Sequence, residues 1–271
     1  MQNKENNLFI KDVQNIIDDR GITIEKVGVS EVNLPFLIKT KSGSFQSVLA
    51  NIKLTVDLSE TYKGTHMSRF IEILNSWSKR PISFNEIKEI LQDTTECLEA
   101  HKAYINIKFK YFIEKSAPIT SLKSLLDYNC SYSGSLTKDK DMDFVLAVEV
   151  PFTSLCPCSK EISDYGAHNQ RSLMKVKIKY ECGHFVFIED VVKVLEEQAS
   201  APIYPLLKRS DEKYITEAAY ENPKFVEDII RDVVLKFREN KNIKWFKIEC
   251  ENYESIHNHN AYACHVETLA K

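Results

Sequence analysis

Apolar positions along the chain change period several times, and each change predicts an element. Ile52, Leu54, Val56 and Leu58 alternate strictly, the mark of a strand with one buried face, so Ile22 to Leu58 is predicted to hold a β-hairpin. Met67, Phe70, Ile71 and Leu74 then fall on one helical face. Ser83 and Glu86 have the spacing of a capping box that opens a second helix carrying Ile87, Ile90, Leu91 and Leu98. Alternation returns at Ile105, Ile107, Phe109, Tyr111 and Ile113, and Leu125 to Leu136, with the turn-prone Ser133-Gly134 near its end, supplies the partner strand.

The second half runs through the same order. Phe144 to Phe152 is strand-like, and Met174, Val176, Ile178 and Tyr180 alternate with Lys175, Lys177 and Lys179. Val191, Val192, Val194 and Leu195 predict a helix, and Asn222-Pro223 is expected to open another with Phe225, Val226, Ile229, Ile230, Val233, Val234 and Phe237 on one stripe. Trp245 to Glu251 and Ala261 to Glu267 form the last strand pair. The expected fold class is α+β, with two units, residues 1–137 and 138–271, joined through the polar run Thr137 to Asp141. Each unit is a four-stranded antiparallel sheet whose two helices can cover one face only. The other face or the sheet edges therefore need partners, and several subunits closing a barrel would supply them.

Composition narrows the class. With 43% hydrophobic residues, 28% charged residues and a formal net charge of −3, the 271-residue chain reads as globular and has no polycationic field for nucleic acid or an anionic membrane. Met1 to Asp12 is polar where a signal peptide would be apolar, and no apolar run is long enough to span a bilayer, so a cytoplasmic protein is expected. Seven cysteines without framework spacing point to thiols, not disulfides, and Cys97, Cys130, Cys182, Cys250 and Cys264 read as core or surface thiols. Neither a P-loop nor a dinucleotide-binding glycine motif occurs, so a bound phosphate would have to be held by Lys and Arg side chains.

Three segments look unlike structural sequence. Ser154 to Ser172 reads as a long polar loop between two strong strands and contains Cys156, Cys158 and His168. A bare Cys-x-Cys is a weak metal signal on its own. Glu254 to Asn260 contains His257 and His259, which two-residue spacing can turn toward one side for metal or acid/base work. Arg209 to Asp228, read as lying between two helices, carries Asp211, Glu212, Glu217, Glu221, Glu227 and Asp228. Most of these are expected to be solvated, and Glu227 and Asp228 also suit the first turn of a helix, where acids complement the dipole.

Five strings together carry a resemblance. Gly64-Thr-His-Met-Ser-Arg-Phe70, Leu155-Cys-Pro-Cys-Ser-Lys160, Gly166-Ala-His-Asn-Gln-Arg171, Asp211-Glu-Lys213 and Glu254-Ser-Ile-His-Asn-His259 resemble those of the prokaryotic type IB GTP cyclohydrolases, over nearly the whole chain. The resemblance implies two tandem tunnelling-fold units and a homotetramer with sites at subunit interfaces. It also implies one divalent metal (zinc, manganese or iron) held by Cys156, His168, Glu212 and His257, with Glu217 the competing choice for the acidic ligand. Cys158 then contacts substrate, Glu227 anchors the guanine ring and His259 is the candidate proton shuttle. His66, Arg69, Lys160 and Arg171 are the triphosphate candidates. The implied reaction opens the imidazole ring of GTP at C8, expels formate and closes a pterin ring, giving 7,8-dihydroneopterin triphosphate. The metal's part is to make water acidic enough to attack C8 at neutral pH. Two rivals stay open: a pterin or deazapurine enzyme using Cys158 as covalent nucleophile, as the related nitrile reductases do, and a non-catalytic assembly protein in which Cys156 and the histidines close a structural zinc site.

Overall fold

The structure, a computed structural model, describes residues 14, 16–139, 142–181, 184 and 186–269. The N-terminal segment Met1 to Asp12, Lys140 and Asp141 of the expected linker, and Cys182 lie outside the described residues. In chain order the elements are β1 (Ile24–Lys39), β2 (Phe45–Leu58), α1 (Met67–Trp77), β3 (Pro81–Ile82), α2 (Phe84–Cys97), β4 (Lys102–Ser116), β5 (Lys123–Thr137) and β6 (Met142–Leu155). They continue as α3 (Pro157–Ile162), β7 (Asn169–Tyr180), α4 (Ile188–Glu197), β8 (Ala201–Pro202), α5 (Arg209–Glu221), α6 (Val226–Glu239), β9 (Ile243–Asn252) and β10 (Ala261–Thr268).

The strands form one sheet in the order β10-β9-β7-β6-β5-β4-β2-β1-β3, with β8 paired to β6. All pairings are antiparallel except the short β1–β3 contact. Alternation puts Ala103, Ile105, Ile107, Phe109 and Tyr111 of β4, and Met174, Val176 and Ile178 of β7, on the buried face. There α2 packs on β4 and β5, α4 on β6, and α6 on β9 and β10. Lys53, Lys108, Lys175 and Lys177 stand on the opposite, open face. The capping role of Glu86 is observed: its carboxylate accepts the Ser83 backbone N–H at 2.8 Å. No helix among the described residues is long and apolar enough to cross a membrane.

The two halves share this sheet. β5 pairs with β6 from Leu136↔Met142 to Asn129↔Glu149, and α4 binds back onto the first half. Tyr111 donates its hydroxyl proton to Glu189 at 2.7 Å, Tyr128 donates to Glu196 at 2.8 Å, and Lys115 forms a nearly buried ion pair with Glu196.

Several expectations need correction. The second half carries α3 and α5 in addition to the two predicted helices, because α5 buries only Asp211 and Ala219 and so has no apolar stripe to read. Asn222 ends α5 instead of opening α6, which starts at Val226. Met67 is exposed, and the buried line of α1 is Phe70, Leu74 and Trp77. Gly134 lies inside β5, not in a turn; a Cβ there would meet Ile87 and Leu91 side-chain carbons at 3.1 and 3.2 Å, so glycine lets α2 settle on the sheet. Cys130 and Cys250 are buried core thiols, and burial pushes Cys250 up to about 12.

Asp211, one of six acids of which most were expected to be solvated, is fully buried. It accepts the backbone N–H groups of Ile119 and Thr120 at 2.8 Å, the Thr120 hydroxyl at 2.7 Å and the Lys208 N–H at 3.0 Å, tying the start of α5 to the β4–β5 turn. Burial works to raise its pKa, but these bonds outweigh burial and hold the carboxyl well below the usual carboxylate range. A depressed folded-state pKa contributes stability above the unfolded value of about 3.9, and that contribution is lost as pH falls through the folded value. Asp211→Asn is therefore expected to lower the melting temperature by several degrees at pH 7. In melting curves recorded from pH 7 to pH 2, the gap to wild type should narrow only below about pH 4; a gap that closes at neutral pH would contradict this role.

Candidate active site

The polar loop read between Ser154 and Ser172 is shorter than expected, because β6 continues to Leu155 and β7 begins at Asn169. Cys156 caps α3 with Pro157 at its first position, and its sulfur accepts the Ser159 N–H at 3.5 Å. Two bonds close the connection: the Cys156 N–H donates to the His168 carbonyl at 3.1 Å, and the His168 N–H donates to the Ser159 hydroxyl at 3.1 Å. Cys156 and His168 are thereby neighbours on the backbone, both half-buried, while Cys158 is exposed.

Polar groups that sequence reasoning passed over lie behind the His168 ring. Nδ1 is 2.9 Å from Gln170 Oε1, Gln170 Nε2 donates to Ser154 Oγ at 2.8 Å, and Ser154 and Ser172 hydroxyls are 2.8 Å apart. Glu254 Oε2 is 3.9 Å from the same Nδ1. The only sequence signal for this chain was an odd one: Ser154, Gln170 and Ser172 occupy buried-face positions in strands where an apolar residue is the rule.

Other expected site residues gather at the same end of the sheet. The Tyr253 N–H bonds to the Arg171 carbonyl and the Lys224 N–H to the Leu155 carbonyl, which brings the β9–β10 loop and the α5–α6 connection beside the Cys156 turn. His257 and His259 lie in that loop, exposed, with rings stacked at 5.0 Å. Glu227 is exposed in the first turn of α6, and Glu212 is exposed in the first turn of α5. Glu217 forms an exposed ion pair with Lys213 at 2.5 Å.

The triphosphate candidates are more scattered. Lys160 donates to the Tyr220 carbonyl at 2.5 Å and sits 4.2 Å from the Tyr220 ring centre, so it is engaged at the end of α5. Arg171 stands on the open face of β7, opposite Gln170 and Ser172. His66 and Arg69 line a cleft of about 330 Å³ with Asp57, Tyr62 and His101, and Arg69 donates to the Cys97 carbonyl at 3.0 Å. That cleft is at the Leu58 and Lys102 ends of β2 and β4, whereas Cys156 follows the end of β6 that lies toward Lys123 and Ser116. One chain keeps these two groups apart.

For a metal, the donor chemistry of Cys156 and His168 fits: a thiol and an imidazole on residues joined by a backbone bond, with Nδ1 held at Gln170 so that Nε2 is the ring nitrogen for a ligand role. Among the described residues, no group of three or more His, Cys, Asp or Glu side chains lies close enough together to hold an ion, so Glu212 and His257 are at the same end but not joined to that pair.

Comparison with known proteins shows the family. A GTP cyclohydrolase FolE2 of Geobacter sp. (strain M21) is 50% identical over 254 residues, covering 94% of this chain and 93% of the relative. One of Geotalea uraniireducens (strain Rf4) is 51% identical over 254 residues, covering 94% and 92%. A uricase from Bacillus fastidious shares the tunnelling fold at a TM-score of 0.51 and 8% identity, covering 90% of this chain and 93% of that one; the likeness speaks for the fold alone. The family described as type I GTP cyclohydrolase folE2 matches residues 10–263, and the chain belongs to that family.

Proposed function

We propose that the chain is a metal-dependent GTP cyclohydrolase, of the type IB kind its motifs resemble, converting GTP to formate and 7,8-dihydroneopterin triphosphate in the cytoplasm. Family membership over residues 10–263 sets the two rival readings aside. The observation that carries the chemistry is the Cys156–His168 pair, held together by a backbone bond at the sheet end where Glu212, Glu227, His257 and His259 also gather.

A divalent metal (zinc, manganese or iron), when bound by Cys156, His168, Glu212 and His257, supplies the Lewis acidity that activates water at neutral pH. The chain's own residues do the rest. Glu227 accepts the N1–H and 2-amino protons of guanine as a bidentate pair. His259 carries a proton to N7, which makes C8 easier to attack, and Cys158 contacts the substrate beside it. The triphosphate falls to His66 and Arg69 of one copy with Lys160 and Arg171 of another, Lys160 exchanging its Tyr220 contact for phosphate.

A homotetramer follows from the same reading, with residues 1–137 and 138–271 as its repeating units. β5, the last strand of the first unit, pairs with β6, the first strand of the second. β10 and β1 are the corresponding strands near the two ends of the sheet, so β10 of one copy against β1 of the next repeats that seam and leaves no open edge.

The test is incubation of purified protein with GTP and each divalent metal in turn, following formate and the fluorescence of the oxidised pterin. Chelation should abolish turnover while circular dichroism stays native, and metal return should restore turnover. No formate with any metal, or collapse of the fold on chelation, would refute the proposal.

A further inference from the structure

We infer that Gln170 is a positioning residue which, backed by Ser154 and Ser172 and biased by Glu254, holds His168 in its Nδ1–H tautomer and presents Nε2 to the reaction site. The inference rests on the reading of His168 as a site residue and adds what orients it.

The chain from His168 through Gln170 and Ser154 to Ser172 is made of contacts of 2.8–2.9 Å. Ser154 and Ser172 are 0% exposed and Gln170 8%, so bulk water does not compete for these bonds. Such a chain has two self-consistent polarities. In one, Nδ1–H donates to Gln170 Oε1, Gln170 Nε2–H donates to Ser154, and the Ser154 hydroxyl donates to Ser172. In the other every bond reverses, the amide turns over, and the proton sits on Nε2.

Glu254 separates them. Its carboxylate lies 3.9 Å from Nδ1, and both side chains are nearly buried, at 12% and 13% exposure. A negative charge at that distance attracts an N–H and repels a lone pair, in surroundings where screening by water is weak. The observed amide, with Nε2 on Ser154 and Oε1 on His168, is the polarity that Glu254 favours. Nε2 of His168 is then an unprotonated donor atom without a change in net charge.

The readout is nitrogen NMR of ¹⁵N-histidine-labelled, metal-free protein, with the His168 signals assigned by their loss in His168→Ala. Wild type is expected to show a protonated Nδ1. Gln170→Met keeps the bulk and removes the acceptor, and should move the proton toward Nε2. Gln170→Glu, which can only accept, should keep it on Nδ1. Metal affinity by chelator competition should fall roughly 10–100-fold in Gln170→Met and recover in Gln170→Glu. Glu254→Gln, which leaves the buried chain intact, should shift the tautomer part of the way and serves if Gln170→Met does not fold. An unchanged Nδ1–H in both Gln170→Met and Glu254→Gln overturns the inference. A shifted tautomer with unchanged metal affinity and turnover would leave the relay standing and remove His168 from the site, which separates failure of the relay from failure of the functional reading.

Discussion

Cys156→Ala protein is expected to retain no stoichiometric metal and to release no measurable formate from GTP. A thiolate contributes a full negative charge and a soft donor, and alanine offers neither. Cys156 is also placed for this by the chain: it caps α3, accepts one N–H from Ser159 and bonds through its backbone to His168. The sulfur's bond from Ser159 is lost but the backbone bond to His168 survives the substitution, so the fold should persist and the loss should be chemical. Cys158→Ala is the control. Cys158 is exposed, one position into α3 beyond Pro157, and has no such tie. It should keep its metal and lose rate, because its proposed contact is with substrate. Equal loss of metal in the two variants, measured by elemental analysis beside the formate assay, would show that the division of roles is wrong.

Glu227→Gln is expected to lower GTP turnover by two or more orders of magnitude, roughly 3 kcal/mol or more of transition-state stabilisation. Metal content and melting temperature should stay close to wild type. A carboxylate accepts both guanine protons, whereas an amide presents one donor where an acceptor is needed. The same reasoning predicts strong discrimination against ATP, whose base lacks that donor pair. Glu227 is exposed in the first turn of α6. The competing role, complementing the helix dipole, would give a loss of about 1 kcal/mol or less in stability with normal kinetics. Steady-state kinetics and thermal unfolding on this one variant discriminate the two, and normal turnover with lowered stability would move the guanine anchor to another acid such as Glu217 or Glu221.

How far the fold could be read depended on where apolar side chains do the holding. β4 and β7 were legible because every second residue is buried along most of each strand, and α6 because Val226, Ile229, Ile230, Val233, Val234 and Phe237 make one stripe. α5 was not, since a buried carboxylate, Asp211, anchors it and hydrophobic periodicity has nothing to say about that. The ends of β6 and β7 were hidden for a related reason. Ser154, Gln170 and Ser172 satisfy one another inside the sheet, and in sequence such residues look like loop. At the site, Cys156 and His168 were legible by residue type alone. Gln170 and Glu254 were not, because their parts depend on distances to an imidazole that no spacing rule encodes.

The seam between the halves also bears on how the sheet assembles. β4–β5, β5–β6 and β6–β7 are each joined by a turn or a short connection, so four central strands form a meander of sequence-local pairings. β2–β4 and β7–β9 must instead close loops that hold two or more helices. Loop-closure entropy therefore weighs least on the centre of the sheet and most on the junctions inside each half. The longest run of sequence-local pairings straddles the midpoint of the chain, so the part of the sheet that closes with least entropy and the two halves of the chain do not coincide.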